Sequence, residues 1–375
     1  MQCDYFGQCG SCRLYEYSYD EQLKTKSDEI LSSFAEYFEG VEVRIVPTID
    51  GHFRNRVEFK VWHEQDGDIS FAMRRIDNPK GFVPIGRCSI ASLPINAMMQ
   101  RIIPLLKTNE TLRKKLFEID FLASGDGEIL ISMLYHRQID EVWKTEAAKL
   151  KAELGCDIIG RSRGRKIVLD KEYVTETVNV DGKAYRFRHI ENSFTQPNGD
   201  INQKIITFLL ENTGMSDHDL LELYCGMGNL TIPLAKNFNK VLGIEISKSS
   251  IASARVNIEA NGVENIDFAR MSAEEFTQAM EGTREFERLK DVDLAGYDFK
   301  TVLVDPPRSG LDPGSLSLVQ KFDRILYISC NPETLKENLA VLSKTHSVRK
   351  AALFDQFAYT PHLEMGVVLE RKQGN

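Results

Sequence analysis

Apolar positions change their period twice along the chain. Between Tyr19 and Phe38, Leu23, Ile30, Leu31 and Phe34 recur at helical spacing and predict one helix. From about 46 to 176 the period is mixed. Val57-Glu58-Phe59-Lys60-Val61-Trp62 and Glu128-Ile129-Leu130-Ile131-Ser132-Met133-Leu134 read as strands, with helical stretches near 95–117 and 140–154. From about 177 onward strand and helix alternate. The apolar run Leu220 to Tyr224 ends in Cys225-Gly226-Met227-Gly228-Asn229; a helix follows, then the strand Val241 to Ile246, then a helix from Lys248 to Ala260 stopped by Asn261-Gly262. Ser272-Ala273-Glu274-Glu275 is a capping-box pattern opening another helix. Val302–Val304, Ile325–Ser329 and Lys350–Phe354 supply further strands, and Pro332 is placed to begin a helix.

This pattern predicts an α/β chain in three parts: 1–45 with a cysteine cluster and a helix, 46–176 as a mixed α+β region, and 177–375 as a doubly wound, mostly parallel sheet. Such sheets bind ligands at the carboxyl ends of their strands.

Composition narrows the function classes. At 375 residues, 42% hydrophobic and 27% charged, the chain is neither disordered nor fibrous. No stretch approaches the ~18 consecutive apolar residues of a membrane span. Asp4, Glu16, Asp20 and Glu21 stand where a leader would be apolar, so the expectation is a cytoplasmic protein with no membrane association. Seven cysteines, an odd number, argue against a disulfide framework and for catalytic or metal duties. A net charge of -8 means that any nucleic-acid site is a local basic patch. Two candidates are Arg161-Ser162-Arg163-Gly164-Arg165-Lys166 and the scatter of Arg54, Arg56, Arg74 and Arg75 beside Phe53 and Phe71.

The chemistry-bearing residues fall at predicted strand ends. Gly226 and Gly228 let backbone N–H groups approach a ligand, and Glu245, nineteen positions after Gly226, suits the ribose hydroxyls of an adenosine-bearing ligand. The third glycine of a dinucleotide turn is missing, which favours a nucleoside cofactor without a diphosphate. Asp305-Pro306-Pro307 holds an acid in a rigid loop. Cys330 precedes a helix, whose dipole is expected to lower the thiol pKa and yield a nucleophile. Glu364, flanked by Leu363 and Met365, is expected to have a raised pKa suited to a general base, with a solvated hairpin acid as the alternative.

Taken together, Glu191-Asn192-Ser193-Phe194-Thr195-Gln196-Pro197-Asn198, Leu220-Leu221-Glu222-Leu223-Tyr224-Cys225-Gly226, Asp305-Pro306-Pro307-Arg308-Ser309-Gly310, Ser329-Cys330-Asn331-Pro332-Glu333-Thr334-Leu335 and His362-Leu363-Glu364 resemble the RNA uracil-C5 methyltransferases that use S-adenosyl-L-methionine. Lys115 to Asp120 and Ser132 to His136 extend the likeness, which is greatest to the tRNA branch that makes ribothymidine in the T-loop. The resemblance implies a class I, Rossmann-like methyltransferase domain. Its nucleophile would be Cys330 and its base Glu364, with cofactor contacts from Gln196, Tyr224, Gly226, Gly228, Asn229, Glu245 and Asp305. It implies the tRNA T-arm as partner, with no obligate protein partner. A 23S rRNA uridine, a non-catalytic RNA chaperone and a nicotinamide oxidoreductase are the rival readings.

Cys3, Cys9 and Cys12 have the spacing C-x5-C-x2-C, and Cys88 offers a fourth thiol, a set able to hold zinc or a [4Fe-4S] cluster. The spacing resembles that of the rRNA-modifying relatives, whose cysteines hold a [4Fe-4S] cluster.

Overall fold

A computed structural model of the chain describes residues 1–65 and 67–373. In chain order it opens with α1 (Tyr19–Ser33), α2 (Ala35–Phe38) and β1 (Glu42–Val46). Next come β2 (Arg56–His63), β3 (Ile69–Arg74), β4 (Phe82–Ile85), α3 (Leu93–Thr108), α4 (Glu110–Arg113), β5 (Leu116–Ala123) and β6 (Ile129–Tyr135). They are followed by α5 (Glu141–Leu154), β7 (Asp157–Ser162), β8 (Arg165–Val168), β9 (Tyr173–Val180) and β10 (Lys183–Ile190). The remainder is α6 (Gly199–Thr213), β11 (Asp219–Leu223), α7 (Thr231–Leu234), β12 (Val241–Glu245), α8 (Lys248–Asn261), β13 (Ile266–Arg270) and α9 (Ala273–Met280). It closes with β14 (Phe299–Val304), α10 (Pro313–Val319), β15 (Arg324–Ser329), α11 (Pro332–Leu342), β16 (His346–Phe354) and β17 (Glu364–Arg371).

Two compact units are interleaved in sequence. The first comprises Met1–Tyr19, Ile49–Thr177 and Arg188–Gly199; the second comprises Asp20–Thr48, Val178–Phe187 and the chain from Asp200 onward. Residues 1–45 therefore do not form a unit of their own. The cysteine segment goes with the first unit, while most of α1 carries its apolar residues Leu23, Ile30 and Leu31 against the core of the second.

In the first unit, seven strands run in the order β4-β3-β2-β5-β6-β7-β8. Alternation along β2 sends Val57, Phe59 and Val61 into the core, where Phe59, Phe71 and Phe121 meet beneath α3 and α5. The parallel pair β6–β7 needs a crossover, and α5 supplies it, capped by Asp140 accepting from Trp143 N and ended by Gly155 at φ +69°. The helical stretch expected over 95–117 breaks at Asn109, whose side chain caps α4, and Leu116 already begins β5.

The second unit holds an eight-stranded sheet ordered β1-β16-β17-β15-β14-β11-β12-β13. Every strand of that sheet runs parallel except β17, which pairs antiparallel with both β15 and β16. Apolar clusters on both faces explain why β11 is buried along its whole length. From β11 the chain moves outward through β12 and β13, then returns to the other side of β11 as β14. That reversal is a topological switch point, where such sheets bind ligands. The capping box at Ser272 and Glu275 forms as predicted, and Gly262 ends α8 at φ +60°. The helix expected after the glycine turn is only α7, a single turn with Pro233 inside it, continuing as a 3-10 turn to Asn237. Among the described residues no helix is long and apolar enough to cross a membrane.

Candidate active site

The carboxyl edge of the second unit's sheet gathers the candidate residues because strand register dictates it. Ser329 at the end of β15 faces Met365 on antiparallel β17, so Cys330 and Glu364 lie next to one another just beyond that pair. Val304 on β14 faces Tyr327 on β15, which brings Asp305 to the following strand end. Leu223 lies between Val304 and Ile244, so Tyr224 and Glu245 complete the row across the switch point.

At the glycine turn, Tyr224 holds φ +65°, Gly226 +56° and Gly228 +82°. A non-glycine residue in that region costs about 1–2 kcal/mol, strain of a kind that accumulates at functional sites. A Cβ on Gly226 would meet nothing within 4 Å, whereas one on Gly228 would press Ile232 at 3.2 Å. The first glycine thus keeps an open approach to the turn, and the second allows close packing beneath it. Glu245 accepts from Gly226 N at 3.1 Å and from Ser247 N at 2.7 Å, which ties acid and turn together as the spacing predicted. Asn229 exchanges two hydrogen bonds with buried Asn202, at 2.7 and 3.0 Å, so its amide braces α6 against the turn. Gln196 belongs to the first unit.

Electrostatics at the edge differ from the sequence expectation in one respect. The Cys330 thiol is pushed above the ordinary cysteine value, chiefly by burial, then by the negative charge of Glu364 and Asp305; Arg308 alone opposes this. Asn331 caps the N-terminus of α11 by accepting from Glu333 N. The predicted lowering is therefore reversed. Glu364, 3% exposed, is a buried acid and not a solvated one. Its carboxyl and that of Asp305 are both driven upward, first by burial, and for Glu364 also by the neighbouring Asp305.

The sequence reading missed Glu222. It lies fully within β11, 1% exposed, with Oε2 lacking a hydrogen-bond partner, and its pKa is pushed up to about 8 by burial. Asp305 and Glu245 reinforce the shift. The only available signal was an acid inside an otherwise apolar strand that feeds the glycine turn.

In the first unit, Cys3, Cys9, Cys12 and Cys88 line one pocket with Tyr5, Phe6, Met73, Ile85 and Ile90. The amino-terminal segment is tied there by Gly10 N donating to Arg74 O at 2.9 Å and Gly86 N donating to Tyr5 Oη at 2.8 Å. Asn96 fixes the Cys88 loop, accepting from Cys88 N and donating to Cys88 O. Burial drives the Cys12 thiol far upward and Cys88 up to about 11, and the other thiols add to both shifts. Arg54 supplies the opposing positive charge.

The basic patches are less free than their sequence suggests. Phe53 and Phe71 are core residues at 6% and 2% exposure, and Arg75 is engaged by Asp77, so that scatter is not an open guanidinium–aromatic surface. Arg161 and Lys166 both contact Glu191, while Arg163 is exposed.

Comparison with known proteins places this geometry. Over 371 residues the chain is 48% identical to the tRNA/tmRNA (uracil-C(5))-methyltransferase of a Nitratiruptor species, spanning 99% of this chain and 100% of that protein. It is 49% identical over 359 residues to the protein of that name from Colwellia psychrerythraea, spanning 95% and 98%. The crystal structure of Pyrococcus abyssi tRNA (uracil-54, C5)-methyltransferase in complex with S-adenosyl-L-homocysteine matches with a TM-score of 0.72 at 23% identity, covering 96% of this chain and 85% of that one. That likeness establishes a shared class I methyltransferase fold. The sequence model of the tRNA (uracil-5-)-methyltransferases matches residues 18–372, and the chain belongs to that family.

Proposed function

We propose that the protein transfers a methyl group from S-adenosyl-L-methionine to C5 of the T-loop uridine, position 54, of tRNA, forming 5-methyluridine through a covalent Cys330–C6 adduct. The observation that carries this reading is the cross-strand adjacency of Cys330 and Glu364 beside Asp305 at the carboxyl edge. The methyl donor, when bound, supplies an electrophilic methyl group. Gly226, Gly228, Tyr224, Glu245 and Asp305 would hold it at the switch point, and the open approach to Gly226 fits a nucleoside there. Gln196 and Asn229 carry a cofactor role by resemblance alone.

Uracil C5 is a poor nucleophile until something adds to C6. The Cys330 thiolate would form the sulfur–C6 bond and push the ring electrons towards C5; C5 would take the methyl carbon as its bond to the donor's sulfonium sulfur breaks, leaving a neutral thioether. Glu364 takes the C5 proton, the C5–C6 double bond re-forms and the sulfur leaves as thiolate. Arg308, the positive group beside Cys330, favours the thiolate. A stacked base is inaccessible to such chemistry, so the target nucleotide is flipped out of its stack.

Incubation with 5-fluorouracil-substituted tRNA tests the reading. Fluorine cannot leave as a proton does, so a covalent adduct that needs Cys330 should accumulate; undiminished methylation by Cys330→Ala would overturn the covalent route. The relatives' names also carry tmRNA, and they favour these substrates over 23S rRNA. Mapping 5-methyluridine separately in tRNA, tmRNA and rRNA from a deletion strain separates the three. A cytoplasmic location and action without an obligate protein partner go with this function.

The four amino-terminal cysteines fit an iron–sulfur cluster better than zinc. Tetrahedral zinc with Zn–S bonds of about 2.3 Å draws its sulfurs to about 3.8 Å from one another. Among the described residues no three of these thiols come within 4.8 Å of each other. An apolar pocket with four thiols, Arg87 in its lining and the charge of Arg54 on Cys12 suits a larger anionic core. Iron and sulfide analysis of anaerobically purified protein tests this, and the absence of both would end it.

A further inference from the structure

Most charged residues of α1 are exposed, but three of its polar side chains are buried, which is unusual for a lysine in particular. Gln22, Lys26 and Ser27 are at most 3% exposed, and Gln22 and Lys26 are one turn apart on the same face. What they touch is the loop 355–363 that joins β16 to β17. Lys26 Nζ donates to Asp355 Oδ1 at 2.6 Å and to His362 O at 3.4 Å, bracketing that loop at its first residue and near its last. Gln22 Oε1 accepts from Tyr359 N at 2.6 Å, at a residue held at φ +65°. Asp355 is fully buried. The residue that follows the loop is Glu364, which pairs with Phe354 to open β17.

A buried ion pair adds little net stability over an apolar pair of equal volume, so its retention is better explained by the geometry it imposes. Here that geometry concerns one object. The loop meets β1 at its first residue, where Asp355 N donates to Val46 O at 3.0 Å, and a slip of one residue in β17 would turn Glu364 away from Cys330.

We propose that Lys26 and Gln22 are positioning residues that lock the loop so that the Glu364 carboxylate enters the sheet edge in reach of the uracil C5 proton. The inference rests on the reading of Glu364 as the base. It assigns a role to an amino-terminal helix more than three hundred residues away in sequence from the group it serves.

The test separates two steps of the reaction. Fluorouracil adduct formation needs Cys330 and methyl transfer but no C5 proton removal, whereas turnover on ordinary tRNA needs both. The variants are Gln22→Leu, which removes no charge, and the double variant Lys26→Met/Asp355→Leu, which removes both charges together. Each should form the fluorouracil adduct at near wild-type rate and keep its KM for tRNA. Turnover and tritium release from tRNA carrying 5-tritiated uridine should fall at least tenfold. Wild-type turnover in folded variants overturns the proposal, and so does an equal fall in adduct formation and turnover, which would make α1 a general scaffold. If the double variant does not fold, Gln22→Leu decides by the same criteria. Glu364→Gln runs in parallel: should it turn over at wild-type rate, the base assignment fails, an outcome distinct from failure of the α1 variants alone.

Discussion

Two regions of this molecule bury thiols, and burial pushes thiols upward in both, yet their surroundings differ. Cys330 ends a strand, half-buried, with two acids and one arginine as its charged neighbours. Cys3, Cys9, Cys12 and Cys88 line one apolar pocket together with Arg87, and Arg54 is the positive charge that acts on Cys12. A raised thiol pKa therefore does not reveal a cysteine's task. In the proposed reading, acids beside one thiol would supply proton transfer for a reaction, and thiols beside thiols would supply ligands.

The sharpest way to break the comparison is at the nucleophile. Cys330→Ala should lower methylation by at least about 10^4-fold and abolish the fluorouracil adduct, read by gel shift and by 5-methyluridine formation. Glu364→Gln comes next, with turnover slowed by roughly 10^2–10^4-fold while a methylated covalent intermediate accumulates. Gly226→Ala should raise the Kd for adenosylmethionine about tenfold, since the new methyl group would stand in the open approach to the turn and φ +56° disfavours it. Calorimetry measures this directly. On the ligand side of the comparison, if the proposed cluster is held, Cys12→Ser should lower the iron content and the melting temperature by several degrees, followed by metal analysis and circular dichroism.

The smallest effect is a pH slope. Glu222 has its folded pKa raised from 4.5 to about 8. The folded state therefore binds more protons than the unfolded chain between those values, so the stabilising contribution is complete below pH 4.5 and is lost as pH rises through 8. The melting temperature should decline across this window, and Glu222→Gln should flatten the decline. An identical slope in both proteins would show that Glu222 ionises freely in the fold.

Much of the parallel sheet could be read in advance because its strands are short apolar runs bounded by explicit caps, such as Gly262 and the Ser272/Glu275 box. The place of the candidate site residues at the sheet edge was legible for a related reason, since motifs mark the strand ends. Less accessible was the break in the helical pattern near Asn109, where a side-chain cap overrides an apolar periodicity. Phe53 and Phe71 were grouped with the arginines by closeness in sequence, which does not say which side chains the fold buries.

Local sequence determined which residues end strands, which turns need glycine and which segments cross over as helices, because these depend on neighbours a few positions away. Tertiary structure alone decided that Glu222 would be sealed between two apolar layers, that Cys330 would meet Glu364 and Asp305, and that Lys26 would reach Asp355. Desolvation and Coulomb interactions act across space, and their sign at any residue is set by partners that chain separation does not reveal.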